Sequence, residues 1–418
     1  MTVMNPTVSL HDFRRDILPR VTAGLAAATA ASLPWSTSAT GILVALWLVS
    51  SLPRFDVAAL RREVLSAPGG LPVALAGIAA VAMLWSDVPV AERFSGIGPF
   101  LRLLMIPVLF AQFRRSDYSI WVGVAFLASG TILLALVWVM FCLGLDFGHG
   151  LGVPVKDYIT QSGVFTLCAF ALVYIGFERW AQRRRALALA AVALAFLFVA
   201  SIFYVSTSRT TLVVIPVLLL LVGLQRASWR ASAACVLAGL VALTVMWATS
   251  PYVRVRTTSV ADEIAEAEVR DTSSGARLKF WKNSVLILNE APILGHGTGM
   301  IAETFRRHAD RQTLEFATNP HNQIFAVGIQ LGAVGIAALL AMWAAHWWLF
   351  HRPGLAAWVG LTAVTQNIVG SLFNSHLMDF TQAWIYVFAV GVFGGAVLRD
   401  DRTVGPDAPS PYPPSPNR

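Results

Sequence analysis

One long polar stretch interrupts a sequence that otherwise consists of apolar segments: residues 250–322, SPYVRVRTTSVADEIAEAEVRDTSSGARLKFWKNSVLILNEAPILGHGTGMIAETFRRHADRQTLEFATNPHN. It contains nine Lys/Arg residues and ends in Asn-Pro-His-Asn at 319–322, where an apolar segment resumes. This arrangement predicts a basic pocket with one imidazole at the mouth of a helical bundle.

The composition around this stretch is that of a polytopic membrane protein. Hydrophobic residues make up 56% of the chain and charged residues 13%, and the mean hydropathy is +0.65. A membrane-spanning helix uses about 20 apolar residues, so 418 residues fit one bundle with a polar insert better than several soluble domains. The net charge of +8 therefore has to be interpreted loop by loop, and we expect no nucleic-acid partner.

Apolar runs bounded by Pro, Gly and charged residues predict an all-α protein with about twelve transmembrane helices. The runs are 17–33, 41–52, 71–86, 97–112, 118–145, 158–177, 186–206, 210–224, 231–249, 323–350, 355–373 and 380–398. Nine helices are thus predicted within residues 1–249, one polar loop at 250–322, and three helices within 323–398. The tail at 399–418 is rich in proline and is predicted to be disordered.

The distribution of Lys and Arg among the short connections predicts the orientation. One alternate set of connections holds 18 of these residues, whereas the other holds only Arg93, Lys156 and Arg209 outside the long loop. Because basic short loops stay in the cytoplasm, both termini are predicted to be cytoplasmic and the 250–322 loop periplasmic.

The long loop itself has helical patterns. Apolar residues at 278, 281, 285 and 288 predict an amphipathic helix over 274–289. Shorter helices are predicted at 262–269 and 301–308, and the glycines at 295, 297 and 299 predict a flexible turn that is not a nucleotide-binding fingerprint.

His321 is the first candidate for chemistry. It precedes an apolar helix, and a neutral imidazole can act as a general base near pH 7. The competing interpretation is an interfacial histidine that only caps the helix.

Two arginines are candidates for an anion site. Arg209 lies in a polar hinge between apolar runs and runs against the charge bias, and an arginine near membrane depth usually faces a cavity or a partner. Arg277 lies near the start of the predicted amphipathic helix, where an exposed arginine without a role is equally compatible with the sequence. Together they could bind a diphosphate bidentately.

Four further residues are predicted to bind substrate. Arg102 and Asp379 lie near predicted membrane ends and could line the same cavity, Lys279 could attract anionic headgroups, and Asn322 follows the candidate histidine. No ligand set with metal-binding spacing occurs, so no metal and no cofactor are predicted.

Together these motifs resemble those of the O-antigen ligase family, within the O-antigen ligase and polymerase superfamily of bacterial inner-membrane glycosyltransferases. The resemblance is carried by Ser206-x-Ser-Arg209, Arg277 before Trp281, Pro292 before the glycines, and Pro320-His321-Asn322 before Gly332 and Gly335. It covers the second half of the chain, while the first half matches only as a set of spans.

The resemblance implies a multi-pass inner-membrane enzyme with a periplasmic active site and a GT-C-like fold. It would transfer O-antigen polysaccharide from undecaprenyl diphosphate to a sugar hydroxyl of lipid A-core, with inversion and without metal. In that case His321 would be the general base, and Arg209 and Arg277 would hold the donor diphosphate. The partners would be these two lipid-linked substrates and membrane lipid, and we expect a monomer.

Two alternatives stay open. An O-antigen polymerase, or a related transferase with a protein acceptor, would use the same donor site and base. A lipid or polysaccharide transporter would also use many helices and a cavity arginine, but we would then expect internal repetition, and no convincing repeat is present.

Overall fold

A large apolar core runs through the described part of the protein and includes the fully buried side chains of Trp47, Phe110, Phe198 and Tyr386. The computed structural model describes residues 17–206, 208–225, 229–265, 273–308 and 318–403. Every regular element in these segments is helical. The all-α prediction is therefore confirmed for the described part of the chain.

Eighteen α-helices are described, together with a short 3-10 turn and one π-helical turn. In chain order they are α1 Leu18–Ser32, α2 Thr37–Ser51, the 3-10 turn Leu52–Arg54, α3 Val57–Val64, α4 Ala67–Ala82, α5 Val90–Leu103, α6 Met105–Phe113, α7 Ser119–Leu143, α8 Tyr158–Ala181, α9 Arg185–Tyr204, α10 Arg209–Leu224, α11 Trp229–Thr249, α12 Pro251–Ala265, α13 Ser273–Glu290, α14 Ile301–His308, α15 Gln323–Leu349, α16 Leu355–Ser371, α17 Phe380–Phe388, the π turn Ala389–Phe393 and α18 Gly394–Thr403.

Six helical stretches among the described residues are long and apolar enough to cross a membrane. They are Val90–Phe113, Ser119–Leu143, Tyr158–Ala181, Arg185–Tyr204, Gln323–Leu349 and Phe380–Arg399. Two bent pairs, α2 with α3 and α11 with α12, raise this number to eight if each is one span, and α4 and α10 are shorter apolar helices. These helices suit a multi-pass membrane protein. Each of the twelve predicted apolar runs contains a helix, but twelve crossings stay a prediction.

The outer surface of the bundle is apolar as well. Ile42, Leu84, Val139 and Trp348 are large hydrophobic side chains that point away from the core and are more than half exposed. Exposed apolar surface of this kind is suited to lipid, because each helix is then apolar around most of its circumference.

The helix α8 forms the centre of the bundle beside the candidate site. Its residues from Thr160 to Phe170 are all buried, and it packs against α9 and α16. The Asp157 carboxylate starts the helix by accepting hydrogen bonds from the backbone N–H groups of Ile159 (2.9 Å) and Thr160 (2.8 Å). Such an N-cap satisfies amide groups that have no partner within the helix.

The helix α15 is broken at Gly332, whose backbone angles of φ 62° and ψ −159° are not helical. The preceding connection replaces the lost hydrogen bonds. His296 N and Gly297 N donate to the carbonyls of residues 329 and 330, while Ala333 N and Val334 N donate to those of residues 292 and 293. A break inside an apolar helix is tolerated only when its backbone groups find such partners.

The glycine-rich connection at 295–299 is tightly packed, in contrast to the predicted flexible turn. A Cβ added to Gly295 would lie 2.4 Å from the backbone of Gln330, and one added to Gly297 would lie 2.6 Å from Ser86 Cα. All three glycines also have positive φ. The glycines are needed because they allow two backbones to approach each other.

The predicted helices of the polar loop are largely present. The helix α14 has the predicted bounds, and α13 matches the amphipathic prediction to within one residue at each end. The acidic helix predicted at 262–269 is the end of the longer α12, as far as residue 265; residues 266–272 lie outside the described segments. The helix α18 extends to Thr403, into the tail that was predicted to be disordered, and residues 404–418 are not among those described.

Candidate active site

An open cavity of about 1530 Å³, including the space at its mouth, lies at the end of the bundle where the 295–299 connection and the segments 318–322 and 372–379 meet. Its walls come from α5, from the start of α8, from α14 and from these connecting segments. His321 and Asp379 both line it. The cavity has an imidazole at a bundle end, but its described lining includes the carboxyl side chains of Glu92, Asp157 and Asp379 and no Lys or Arg, which differs from the predicted basic pocket.

The backbone of His321 has an uncommon conformation. Its φ of 51° lies in the left-handed region, which only a few non-glycine residues adopt. The Asn319 side chain supports this turn, because its Oδ1 accepts a hydrogen bond from His321 N (2.9 Å). The same oxygen accepts from Ser375 Oγ (2.7 Å), which ties the turn to the opposite segment.

The imidazole of His321 is held on two sides. Its Nδ1 lies 3.2 Å from Asn374 Oδ1, and its ring stacks on Phe280 of α13 with centroids 6.2 Å apart. Among the described residues no hydrogen bond reaches Nε2. Since the side chain lines the cavity, Nε2 is the atom available to a substrate.

The surroundings of His321 favour its neutral form. Burial lowers the pKa of the imidazole below 6.5, the hydrogen bond to Asn374 opposes this, and the positive charge of Arg277 lowers the pKa further. A neutral imidazole with a free nitrogen can accept a proton near pH 7. Arg277 is thus near enough to His321 for its charge to act on the imidazole, and their shared role stays a prediction.

Asn322, rather than His321, caps α15. Its Oδ1 accepts from the backbone N–H groups of Ile324 (2.9 Å) and Phe325 (3.2 Å), and its Nδ2 donates to Leu372 O (3.0 Å). The interpretation of His321 as a mere helix cap is therefore wrong. These bonds leave Asn322 one amide hydrogen for a ligand, so its predicted substrate contact has little side chain left to use.

Arg102 and Asp379 are in contact, but only Asp379 is among the residues that line the cavity. Arg102 Nη1 donates to the Asp379 carbonyl (3.2 Å), and the guanidinium lies over the Phe380 ring at 5.1 Å. The Asp379 carboxylate binds Lys156 Nζ at 3.2 Å and caps α17 by accepting from Gln382 N (2.8 Å). Their binding of substrate stays a prediction.

Arg209 is the first residue of α10. Its Nη2 donates to Ser259 Oγ of α12 (3.2 Å), and the preceding Ser206 is held by Gln161 Nε2 (2.9 Å). Thr210 and Thr211 line a smaller inner chamber of about 250 Å³ that shares Gln382 with the main cavity. Arg209 itself is not among the residues that line either chamber, and its contact with a substrate stays a prediction.

The other basic residues of the polar loop differ in their surroundings. Lys279 is half-buried on α13, two residues after Arg277, and its contact with a substrate stays a prediction. Arg306 and Arg307 both bind the Glu303 carboxylate, and Arg307 also binds Asp87. These two arginines are largely neutralised, which argues against the idea that they attract anionic lipid headgroups.

Three site residues were missed from the sequence. Asn374 and Phe280 contact His321 from positions far along the chain, and isolated Asn and Phe residues give no signal of a site. Lys156 did carry a signal, because it is one of the three basic residues that run against the charge bias. The argument from charge bias that made Arg209 a candidate therefore applies to Lys156 as well.

No cluster of three or more His, Cys, Asp or Glu side chains that could hold a metal ion is found within the described segments. The absence of a metal requirement stays a prediction, to be tested by chelation.

The chain was compared with known proteins. A family model described as O-antigen ligase matches residues 194–340. This region includes Arg209, Arg277 and His321 but ends before Asn374 and Asp379. An uncharacterised protein of Haemophilus influenzae is 37% identical over 81 residues, which are 18% of this chain and 20% of that protein. The matched part thus spans about a fifth of that relative.

The family match covers about a third of the chain. It coincides with the segments that build one side of the cavity, from the end of α9 to the broken helix α15. Residues 194–340 of the chain are therefore similar to the O-antigen ligase family.

Proposed function

We propose that this protein is an O-antigen ligase, which transfers polysaccharide from undecaprenyl diphosphate to a sugar hydroxyl of lipid A-core. One observation carries the proposal: His321, which lies in the family-matched region, lines an open cavity. Its Nε2 has no hydrogen-bond partner among the described residues. The family implies a lipid-linked polysaccharide and lipid A-core as its general substrates.

In the proposed reaction, His321 Nε2 takes the proton of the acceptor hydroxyl. The acceptor oxygen then forms a bond to the anomeric carbon of the donor sugar, while the bond from that carbon to the diphosphate oxygen breaks. The electron pair leaves with undecaprenyl diphosphate. Because attack and departure occur on opposite faces of the sugar, the anomeric configuration is inverted.

The leaving diphosphate needs positive charge where negative charge develops. The positive charge of Arg277 lowers the pKa of His321, which supports a position for Arg277 near the base. Arg209 would approach from the inner chamber, and Arg102 and Lys156 add positive charge on the Asp379 wall. Two arginine forks can hold a diphosphate bidentately. We therefore keep Arg209 and Arg277 as the proposed donor-binding pair, with no metal or cofactor required.

The proposed location is the bacterial inner membrane, with both termini in the cytoplasm and the cavity open to the periplasm. Its support is the charge bias of the short connections, together with the position of the cavity among the segments assigned to the opposite side. We propose a monomer that takes its donor from the surrounding lipid, since the outer surface of the bundle is apolar.

The test begins in a strain without the gene. A ligase predicts unsubstituted core and long glycan that stays on the lipid carrier, whereas a core with one repeat unit would indicate a polymerase. Unchanged lipopolysaccharide with glycan missing from a glycoprotein would indicate a protein acceptor.

The second test uses the purified protein in detergent. His321→Ala is expected to lower the transfer rate about 100-fold to 10,000-fold, the usual contribution of a general base. His351→Ala is the matched control, because His351 stacks on Trp347 near the far end of α15. Equal transfer by His321→Ala and wild type would refute the assigned role.

A further inference from the structure

The partner of the His321 imidazole is an amide, whereas many catalytic histidines are oriented by a carboxylate. Asn374 Oδ1 faces Nδ1 at 3.2 Å, and the same oxygen accepts the backbone N–H of Ser375 at 2.9 Å. An amide oxygen can only accept a hydrogen bond. The hydrogen of the His321 ring must therefore be on Nδ1, and the lone pair on Nε2.

We propose that Asn374 is a positioning residue that fixes His321 in the tautomer with Nδ1 protonated and Nε2 free to take the acceptor proton. This proposal rests on the proposed role of His321 as the base. It adds a residue beyond the family-matched region, which ends at 340.

The position of Asn374 is determined by a frame of hydrogen bonds between the segments 318–323 and 372–379. Asn322 Nδ2 donates to Leu372 O (3.0 Å), and the backbone N–H of Leu377 donates to Gln323 Oε1 (2.9 Å). Together with the bond from Ser375 Oγ to Asn319 Oδ1, they hold both segments on either side of the imidazole. These hydrogen bonds fix the two backbone segments and therefore the distance between His321 Nδ1 and Asn374 Oδ1.

A neutral partner has a chemical consequence. An amide orients the ring, but it stabilises the imidazolium much less than a carboxylate would. The imidazole is therefore kept neutral before reaction, and the proton that it accepts is not trapped by an adjacent negative charge. An Asp at position 374 would orient the same ring while favouring the charged form.

The other charged groups around His321 are the same in wild type and in Asn374→Asp. Arg277 acts on the ring from α13. Across the cavity lie Asp379, the Glu92 side chain of α5 and Asp157 at the start of α8. None of them is altered when Asn374 is replaced by Asp, which has nearly the same shape.

The first experiment is ¹⁵N NMR of histidine-labelled protein in detergent, with the His321 signals identified by their loss in His321→Gln. The expected spectrum has the hydrogen on Nδ1. Asn374→Ala should give a mixture of tautomers, whereas a wild-type spectrum with the hydrogen on Nε2 would overturn the proposal. This readout needs no transfer activity, so it is independent of whether the protein is a ligase.

The second experiment measures transfer against pH. Asn374→Asp should raise the pKa of His321 by about one unit or more, the usual effect of an opposite charge in contact, and should move the acid limb of the profile upward by the same amount. Asn374→Ala should lower kcat about tenfold or more with little change in KM. Ser95→Asp is the control, since Ser95 is exposed in the same cavity and adds charge without touching the ring.

The outcomes separate the two proposals. If Asn374→Asp leaves the acid limb in place, or moves it no further than Ser95→Asp does, the role of Asn374 is refuted while ligase activity stands. If wild type shows the expected tautomer but transfers no glycan to core, the proposed function fails and the positioning by Asn374 is retained.

Discussion

Lys156 and Asp379 are 223 residues apart in the sequence, yet Lys156 Nζ lies 3.2 Å from both carboxylate oxygens of Asp379. The same ammonium donates to Thr381 Oγ1 at 2.8 Å. Lys156 has a φ of 57°, so the pair joins a strained turn before α8 to the segment that starts α17. The contact connects the turn before α8 to the part of the cavity wall formed by Asp379.

This pair should show a modest coupling energy. The side chains are 27% and 32% exposed, and solvent screening therefore limits the coupling to about 0.5–1 kcal/mol. The measurement is a double-mutant cycle on thermal unfolding in detergent with Lys156→Met, Asp379→Asn and the double variant. Asn can still cap α17, so the cycle isolates the ion pair. Strictly additive effects would contradict the prediction.

The pH dependence of transfer should follow the neutral state of His321. Burial and then the charge of Arg277 lower the pKa of this imidazole, so the acid limb should have its midpoint below pH 6.5. Arg277→Met should move the midpoint upward because it removes a positive charge, whereas Arg277→Lys should keep it. A profile with the same midpoint in wild type and Arg277→Met would rule out this electrostatic effect.

The same lowered pKa affects stability. The unfolded chain takes up the His321 proton at about pH 6.5, before the folded protein does. The contribution to stability is therefore complete above that pH and is lost as the pH falls toward the folded pKa. His321→Gln should flatten this part of the stability profile in thermal unfolding between about pH 5 and 8.

Gly297→Ala tests whether the glycine-rich connection is a packed element. Gly297 has a φ of 102°, and an added Cβ would lie 2.6 Å from Ser86 Cα. The backbone strain of alanine at this φ and the clash with Ser86 should together lower the free energy of unfolding by about 2 kcal/mol or more. Gly144→Ala is the control, because Gly144 also has a positive φ, of 68°, but no described neighbouring atom lies within 4 Å of the added Cβ. Similar melting temperatures for the two variants would argue for an open turn.

Local sequence signals predicted the parts of the fold that depend on neighbouring residues. The helix α14 was predicted with its observed bounds, and the apolar run predicted to start at residue 323 begins where α15 does. The glycine run was interpreted as flexible because composition does not reveal that Ser86 and Gln330 lie against it. Its role depends on packing between distant segments.

The candidate site also contains residues that local sequence signals indicated and residues that they did not. His321 was found from its place before an apolar helix, and its proximity to Arg277 was expected. Asn374, 53 residues further along the chain, could not be found, because the hydrogen bond depends on how the start of α15 lies beside the end of α16. The number of membrane crossings is similarly not decided by apolar runs alone, since the bent pair α11 and α12 turns by 90°.

A buried ion pair in another part of the protein gives a test of stability that is separate from catalysis. Glu63 of α3 has no exposed side-chain surface, and its carboxylate binds Arg62 at 2.6 Å and Arg114, which follows α6, at 3.2 Å. Arg114→Met leaves this carboxylate with one partly exposed cation, and breaking a buried pair in this way costs about 3 kcal/mol or more. Arg115→Met is the control, because Arg115 and Asp56 are both more than one-third exposed and solvent screening leaves their pair little effect on stability.

The double variant Glu63→Gln with Arg114→Met should recover much of the lost stability, since no unpaired charge is then buried. Thermal unfolding of the four proteins in detergent checks the order: wild type and Arg115→Met close together, the double variant next, and Arg114→Met lowest. Arg114 follows the end of α6, whereas Glu92 and Pro99 line the cavity from α5, so the folded fraction of Arg114→Met should transfer glycan at the wild-type rate. A loss of rate per folded molecule would instead mean that the α3–α6 junction controls the cavity.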